Sequence, residues 1–140
     1  MSGHLHQATC VVIGGRGLLI EGPPGSGKSS LALALIDRGA VLVGDDGVLI
    51  ERDGHVVCAS PAPATKGLLE VRNVGLLDFQ TLADVPIALI VTLDPAAPRF
   101  RDAPDWLDRA GCRLPEIALW PGSPVLALRA EAALRTYGLA

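Results

Sequence analysis

Residues 21–30 read Glu21-Gly22-Pro23-Pro24-Gly25-Ser26-Gly27-Lys28-Ser29-Ser30. From Gly22 to Ser29 every fixed position of the pattern G-x-x-x-x-G-K-[ST] is filled. The chemistry explains the spacing. Glycines let the backbone turn tightly, so that successive N–H groups converge on phosphate oxygens. Lys28 brings a point charge to the outer phosphates, and the Ser29 hydroxyl suits a bound Mg²⁺. Gly22, Pro23, Pro24, Gly25, Ser26, Gly27, Lys28 and Ser29 are therefore the candidate nucleotide-binding residues.

The flanking sequence agrees. Gly17-Leu18-Leu19-Ile20-Glu21 is a short apolar segment that predicts a buried strand. Residues 29–38 are rich in helix formers and hold no Gly or Pro, and Gly39 follows as a C-cap. Strand, glycine loop and helix in that order place a helix N-terminus under an anion.

Further out, Thr9 to Ile13 reads as a strand and Gly14 to Gly17 as a hairpin turn. Val41 to Val43 predicts a second short buried strand, adjacent and parallel to the one before the loop. Val48–Arg52 and His55–Ala59 flank Asp53-Gly54, a hairpin signal. Pro61 opens an irregular segment. Residues 66–78 begin and end as loop and strand, with an ambiguous middle. Residues 86–93 contain a buried strand. Residues 94–124 hold 6 of the 11 prolines and read as mostly irregular, with a short helix at Asp105 to Ala110. Residues 125–137 predict a terminal helix. The expectation is one α/β domain over residues 1–140, with short strands, few helices and no separate N-terminal regulatory domain.

Composition narrows the function. Twelve basic residues stand against 15 acidic ones, for a net charge of −3. With no basic block and only 4% aromatic residues, the chain offers neither an electrostatic nor a stacking surface for nucleic acid. The longest apolar run, Leu31 to Ile36, is far below a membrane span. No targeting segment is apparent, so the expected compartment is the cytoplasm. Cys10, Cys58 and Cys112 are odd in number and widely spaced, which predicts buried reduced thiols.

A nucleotide loop needs a partner carboxylate, to hold Mg²⁺ or to take a proton from the acceptor. Asp45-Asp46 follows Lys28 by 17 and 18 residues and is the first candidate; a solvated turn is the competing reading. Glu70, between Leu69 and Val71, is either a metal-side ligand or a solvent-facing strand residue. His6 alone, near a terminus, carries no argument.

Taken together, the stretch from Gly22 to Asp46 and the run Lys66-Gly67-Leu68-Leu69-Glu70-Val71-Arg72 resemble the catalytic domain of HPr kinase/phosphorylase. That family phosphorylates a serine of HPr, the small phosphocarrier of the sugar phosphotransferase system, and runs the reverse phosphorolysis. The resemblance is to a short form found in some alphaproteobacteria, and it thins after Leu93. It implies an HPr kinase / PEP carboxykinase-like P-loop fold, ATP and Mg²⁺ as cofactors, an HPr-like carrier as partner and a homo-oligomer, hexameric in the family. It implies metal ligation by Ser29, Asp45 and Glu70, with Asp46 as the base. It implies catalytic places for His6, Lys28, Asp45, Asp46 and an arginine, Arg113 or alternatively Arg109, with Arg72 in the same signature. Two departures stand out. Ser30 replaces an acidic residue common after the loop serine. Residues 121–124, Pro-Gly-Ser-Pro, lack the arginine of a family segment that serves dephosphorylation. Two other functions remain open: a non-catalytic nucleotide sensor and a P-loop kinase of a small metabolite.

Overall fold

The computed structural model describes residues 3–140, so the first two positions of the expected domain lie outside it. In chain order the elements are β1 (His4–His6), β2 (Thr9–Ile13), β3 (Arg16–Glu21), α1 (Lys28–Asp37), β4 (Val41–Gly44), β5 (Val48–Asp53) and β6 (Val56–Pro61). They continue with β7 (Leu68–Val71), β8 (Gly75–Asp78), β9 (Val85–Leu93), β10 (Asp105–Arg109), β11 (Cys112–Leu119) and α2 (Leu126–Tyr137). This is the expected α/β composition of short strands and few helices.

Among the described residues, nine strands join in one sheet. Its path runs β1-β5-β6-β9-β3-β2-β4, with β11 also on β9 and β10 on β11. β9 is the trunk. One of its edges carries β3 in parallel over Ile87 to Thr92. β6 meets it at Val85 and Pro86, and β11 at Ile90 to Leu93. β7 and β8 form a separate hairpin.

Period-2 alternation along β3 sorts its side chains between two cores. Leu18 and Ile20 pack with Leu31, Ala32 and Leu35 of α1 and with Ala130, Ala133 and Leu134 of α2. Leu19 packs on the opposite face with Cys10, Val43, Ile50, Val57 and Leu114. Each fully buried Leu or Ile contributes about 1.5–3 kcal/mol relative to exposure, so both faces of β3 are anchored.

The structure corrects several expectations. β4 is not adjacent to β3; β2 lies between them, antiparallel to both. β3 and β4 still run the same way and end at the same edge. The region expected to be irregular holds β10 and β11, and Asp105 to Arg109 is a strand rather than a helix. Ala110 and Gly111, with φ 53° and 81°, make the tight turn between them. The short spacing around that turn satisfies a hairpin, and Leu107, Ala110, Cys112 and Leu114 cover the second core. The ambiguous middle of residues 66–78 is the turn between β7 and β8, with Asn73 at φ 71°. All three cysteines are free, but only Cys10 is fully buried, and burial pushes its thiol up to about 12.

Candidate functional site

Two glycines of the loop between β3 and α1 are required by backbone conformation rather than by crowding. Gly25 (φ 79°) and Gly27 (φ 103°) both lie in the left-handed region, and a Cβ at either would meet nothing within 4 Å. Only glycine takes that conformation without strain. Gly27 is also the N-cap of α1, so no side chain caps the helix and its first turn carries no acid. The leading amides are thus left for an anion. Lys28 Nζ donates to the carbonyls of Gly22 (2.8 Å) and Pro23 (3.1 Å), which lays the ammonium along the loop.

Asp45, at the end of β4, is the organising group beside the helix. It is only 6% exposed. Its Oδ1 accepts from Ser29 Oγ (2.7 Å) and from Thr9 Oγ1 (2.9 Å), and its Oδ2 accepts from the Glu70 N–H (3.1 Å). One carboxylate therefore ties the loop serine to β2 and to the β7–β8 hairpin. Asp46 differs. It is exposed, with φ 57°, so the chain reverses and its carboxylate is turned away from the core. Both aspartates line a cavity of about 430 Å³ with Lys28, Ser29, Glu70 and Arg72. That is within the range of small-molecule sites.

A second cluster forms on the other side of β3. Glu21 is two positions beyond Leu19 and so shares its face. Its Oε2 accepts from His6 Nε2 (2.7 Å) and from Arg109 Nε (3.0 Å). Its Oε1 accepts from Arg109 Nη2, while Arg109 Nη1 donates to the Asp108 carbonyl. Burial pushes the Glu21 carboxyl up, but the hydrogen bonds from His6 and Arg109 and the arginine's charge outweigh it, holding the group down at about 2.

Of the residues singled out by sequence, the loop, Lys28, Ser29, Asp45, Asp46, Glu70 and Arg72 meet around one cavity. His6 lies outside that lining, in β1 opposite Val48, and is tied to the residue before the loop through Glu21. Arg109, rather than Arg113, enters that cluster; Arg113 is exposed on β11. Two residues that the sequence reading treats only as strand positions, Thr9 and Glu21, carry polar contacts here. Glu21 had one legible sign, an acid ending an apolar strand directly before the loop.

The donor set fits a magnesium nucleotide. Ser26 Oγ is buried inside the loop with no hydrogen-bond partner among the described residues, which suits an acceptor on a phosphate. Among the described residues, no three His, Cys, Asp or Glu side chains gather as a metal cage. Mg²⁺ needs none: it is typically bound by one or two carboxylates together with phosphate and water. Ser29, Asp45 and Glu70, which is exposed on β7 with its backbone beside Asp45, are the residues that would hold it.

A family model described as HPr Serine kinase C-terminal domain matches residues 2–92. A curated HPr kinase/phosphorylase from Mycoplasmopsis pulmonis is 44% identical over 73 residues, 52% of this chain and 24% of that protein. One from Streptococcus gordonii is 34% identical over 118 residues, 75% of this chain and 38% of that protein. The chain thus spans only a quarter to two fifths of these relatives' length. The solved structure of the Hpr(Ser) kinase/phosphatase from Coxiella burnetii superimposes with a TM-score of 0.82 at 27% identity, over 94% of this chain and 88% of that one.

Proposed function

The chain belongs to the HPr serine kinase C-terminal domain family, and on that premise we propose that it transfers the γ-phosphoryl group of ATP to a serine of an HPr-like carrier. The observation that carries the reading is the division of labour between neighbouring aspartates. Asp45 is buried and bonded to the loop serine, whereas Asp46 is exposed in the same cavity.

The roles follow from that geometry. The loop amides and Lys28 neutralise and orient the phosphates. Asp45 fixes the Ser29 hydroxyl, and with Glu70 it would complete the metal's surroundings. Held by Ser29, Asp45 and Glu70, Mg²⁺ would supply positive charge toward the phosphates. Asp46 accepts the proton of the acceptor serine as its oxygen attacks, and returns it in the reverse direction. Little covalent chemistry is asked of the protein; positioning and charge stabilisation carry most of the rate. Exposed Leu76 on the cavity wall suits an acceptor presented by another protein's surface rather than one enclosed in a pocket. The reading includes a cytoplasmic setting and assembly of several copies, hexameric by likeness to the family.

The test is to incubate the protein with Mg²⁺, γ-labelled ATP and the HPr-like carriers of its own genome. A carrier with its serine changed to alanine and the variants Asp46→Asn and Lys28→Ala serve as controls. Label on the wild-type carrier alone, lost with D46N, is the expected result. Nucleotide binding that K28A abolishes, without label on any carrier, would overturn it in favour of a sensor or a small-metabolite kinase.

A further inference from the structure

We propose that Glu21 is a positioning residue: it gathers His6 and Arg109, from two distant strands, into one hydrogen-bonded group at the base of the phosphate loop. The inference rests on the kinase reading for its effect on turnover, but its geometry stands independently. Glu21 directly precedes Gly22, so whatever it holds is held in register with the loop. β3 itself cannot shift, because Leu18 and Ile20 are locked into one core and Leu19 into the other.

The three side chains form a closed arrangement. Glu21 is 15% exposed, Arg109 22% and His6 26%. The carboxylate takes Arg109 through Nε and Nη2, the planar two-point contact that guanidinium favours. Nη1 is held by the Asp108 carbonyl. That fixes the guanidinium plane and leaves one N–H on each Nη atom to reach outward. His6 presents Nε2–H to the same carboxylate, which sets its tautomer and turns Nδ1 away from Glu21. The arginine is therefore presented with defined free donors, beside a histidine ring whose Nδ1 edge faces away from Glu21. They lie across β3 from Asp45, so the loop is flanked by one carboxylate on each side. The Asp45 side is built around Ser29; the Glu21 side is built around a cation.

A group held this way acts on turnover rather than on nucleotide binding. Misplacing a catalytic partner by about 1 Å costs on the order of 100-fold. Glu21→Gln keeps size and one acceptor oxygen but loses the two-point contact. The expected result is a kcat for carrier phosphorylation lowered 10- to 100-fold, with KM for ATP and nucleotide affinity unchanged. Arg109→Gln should give a similar loss, and the double variant E21Q/R109Q should be no worse than R109Q alone. Glu21→Asp, which retains the charge, should recover part of the activity. A purely structural role predicts instead that the losses track melting temperature across the variants, since contacting residues couple in either case.

A second readout needs no carrier. In ¹⁵N spectra of the full chain, the Arg109 Nε–H signal should be sharp and slow to exchange with water, and should be lost in E21Q. If wild-type protein labels no carrier, the kinase reading fails, while this signal still decides whether Glu21 holds the arginine. Full activity in E21Q, or an Arg109 signal unaffected by it, would overturn the proposal.

Discussion

The two clusters that flank the phosphate loop are built on opposite logic. Asp45 is an acceptor surrounded by neutral donors: two hydroxyls and a backbone N–H. Glu21 is paired with a guanidinium and an imidazole. In the first arrangement the carboxylate makes no ion pair among the described residues, which suits a site for Mg²⁺. The second satisfies its charge internally and fixes the orientation of its partners. One cluster is made to receive a cation; the other already contains one.

Among the changes that test this contrast, Asp45→Asn should produce the largest effect. The amide nitrogen would replace one carboxylate oxygen, and a donor would then face Ser29 and Thr9 or the Glu70 N–H. Losing an electrostatic stabiliser of this kind typically costs about 10²–10³ in kcat. The unpaired buried group should also cost about 1–3 kcal/mol of stability. Activity assays and denaturant melts check both. Near-normal activity in D45N would erase the difference between the clusters.

Acid sharpens the contrast next. The Glu21 carboxyl is depressed from 4.5 to about 2 in the folded chain. Its stabilising contribution is therefore fully present above pH 4.5 and is lost as the pH falls toward 2. The wild-type melting temperature should drop more steeply across that window than that of E21Q, and E21Q should be the less stable protein at neutral pH. Parallel curves would mean that the ion pair contributes nothing to folding.

Thr9→Val should have the smallest effect. It keeps the shape and removes one of two hydroxyls donated to Asp45 Oδ1. The expected cost is about 1 kcal/mol in a denaturant melt, with kcat within about threefold. A loss as large as that of D45N would show that Thr9, not Ser29, holds the carboxylate in place.

The same contrast explains what could be read from sequence. The loop, Lys28, Ser29 and the paired aspartates lie within 25 residues of one another, between Gly22 and Asp46. The strand–loop–helix unit makes the loop, Lys28 and Ser29 legible from local pattern, whereas spacing alone left the aspartates open to a turn reading that the family resemblance decided against. Glu70 came from a longer signature rather than from spacing. The Glu21 cluster joins residues 15 and 88 positions apart, and its arginine rides on a hairpin hidden in a proline-rich stretch. Pro115 sits inside β11, opposite Trp106 of β10, where a proline ordinarily argues against a strand interior. Which of Arg109 and Arg113 reaches Glu21 depends on that hairpin, which sequence spacing does not reveal. The sheet order had the same difficulty. The β2–β3 hairpin is legible at its glycine turn, but that β4 pairs with the outer edge of β2 rather than with β3 is not encoded by period or composition.

The division of β3 between two cores has a consequence for how activity is gained and lost. Ile20 and Glu21 are adjacent, yet they point into regions built by different parts of the chain. β3 sits between β2 and β9, so both regions need those strands in place. A local opening that frees one flank of the loop must break the ladder shared with the other. Backbone amides of Leu19 and Ile20 should therefore exchange with solvent only through the most extensive opening, at close to the global free energy of unfolding. Competence at this site would then switch on as a unit during folding, with no half-built loop available to bind nucleotide unproductively.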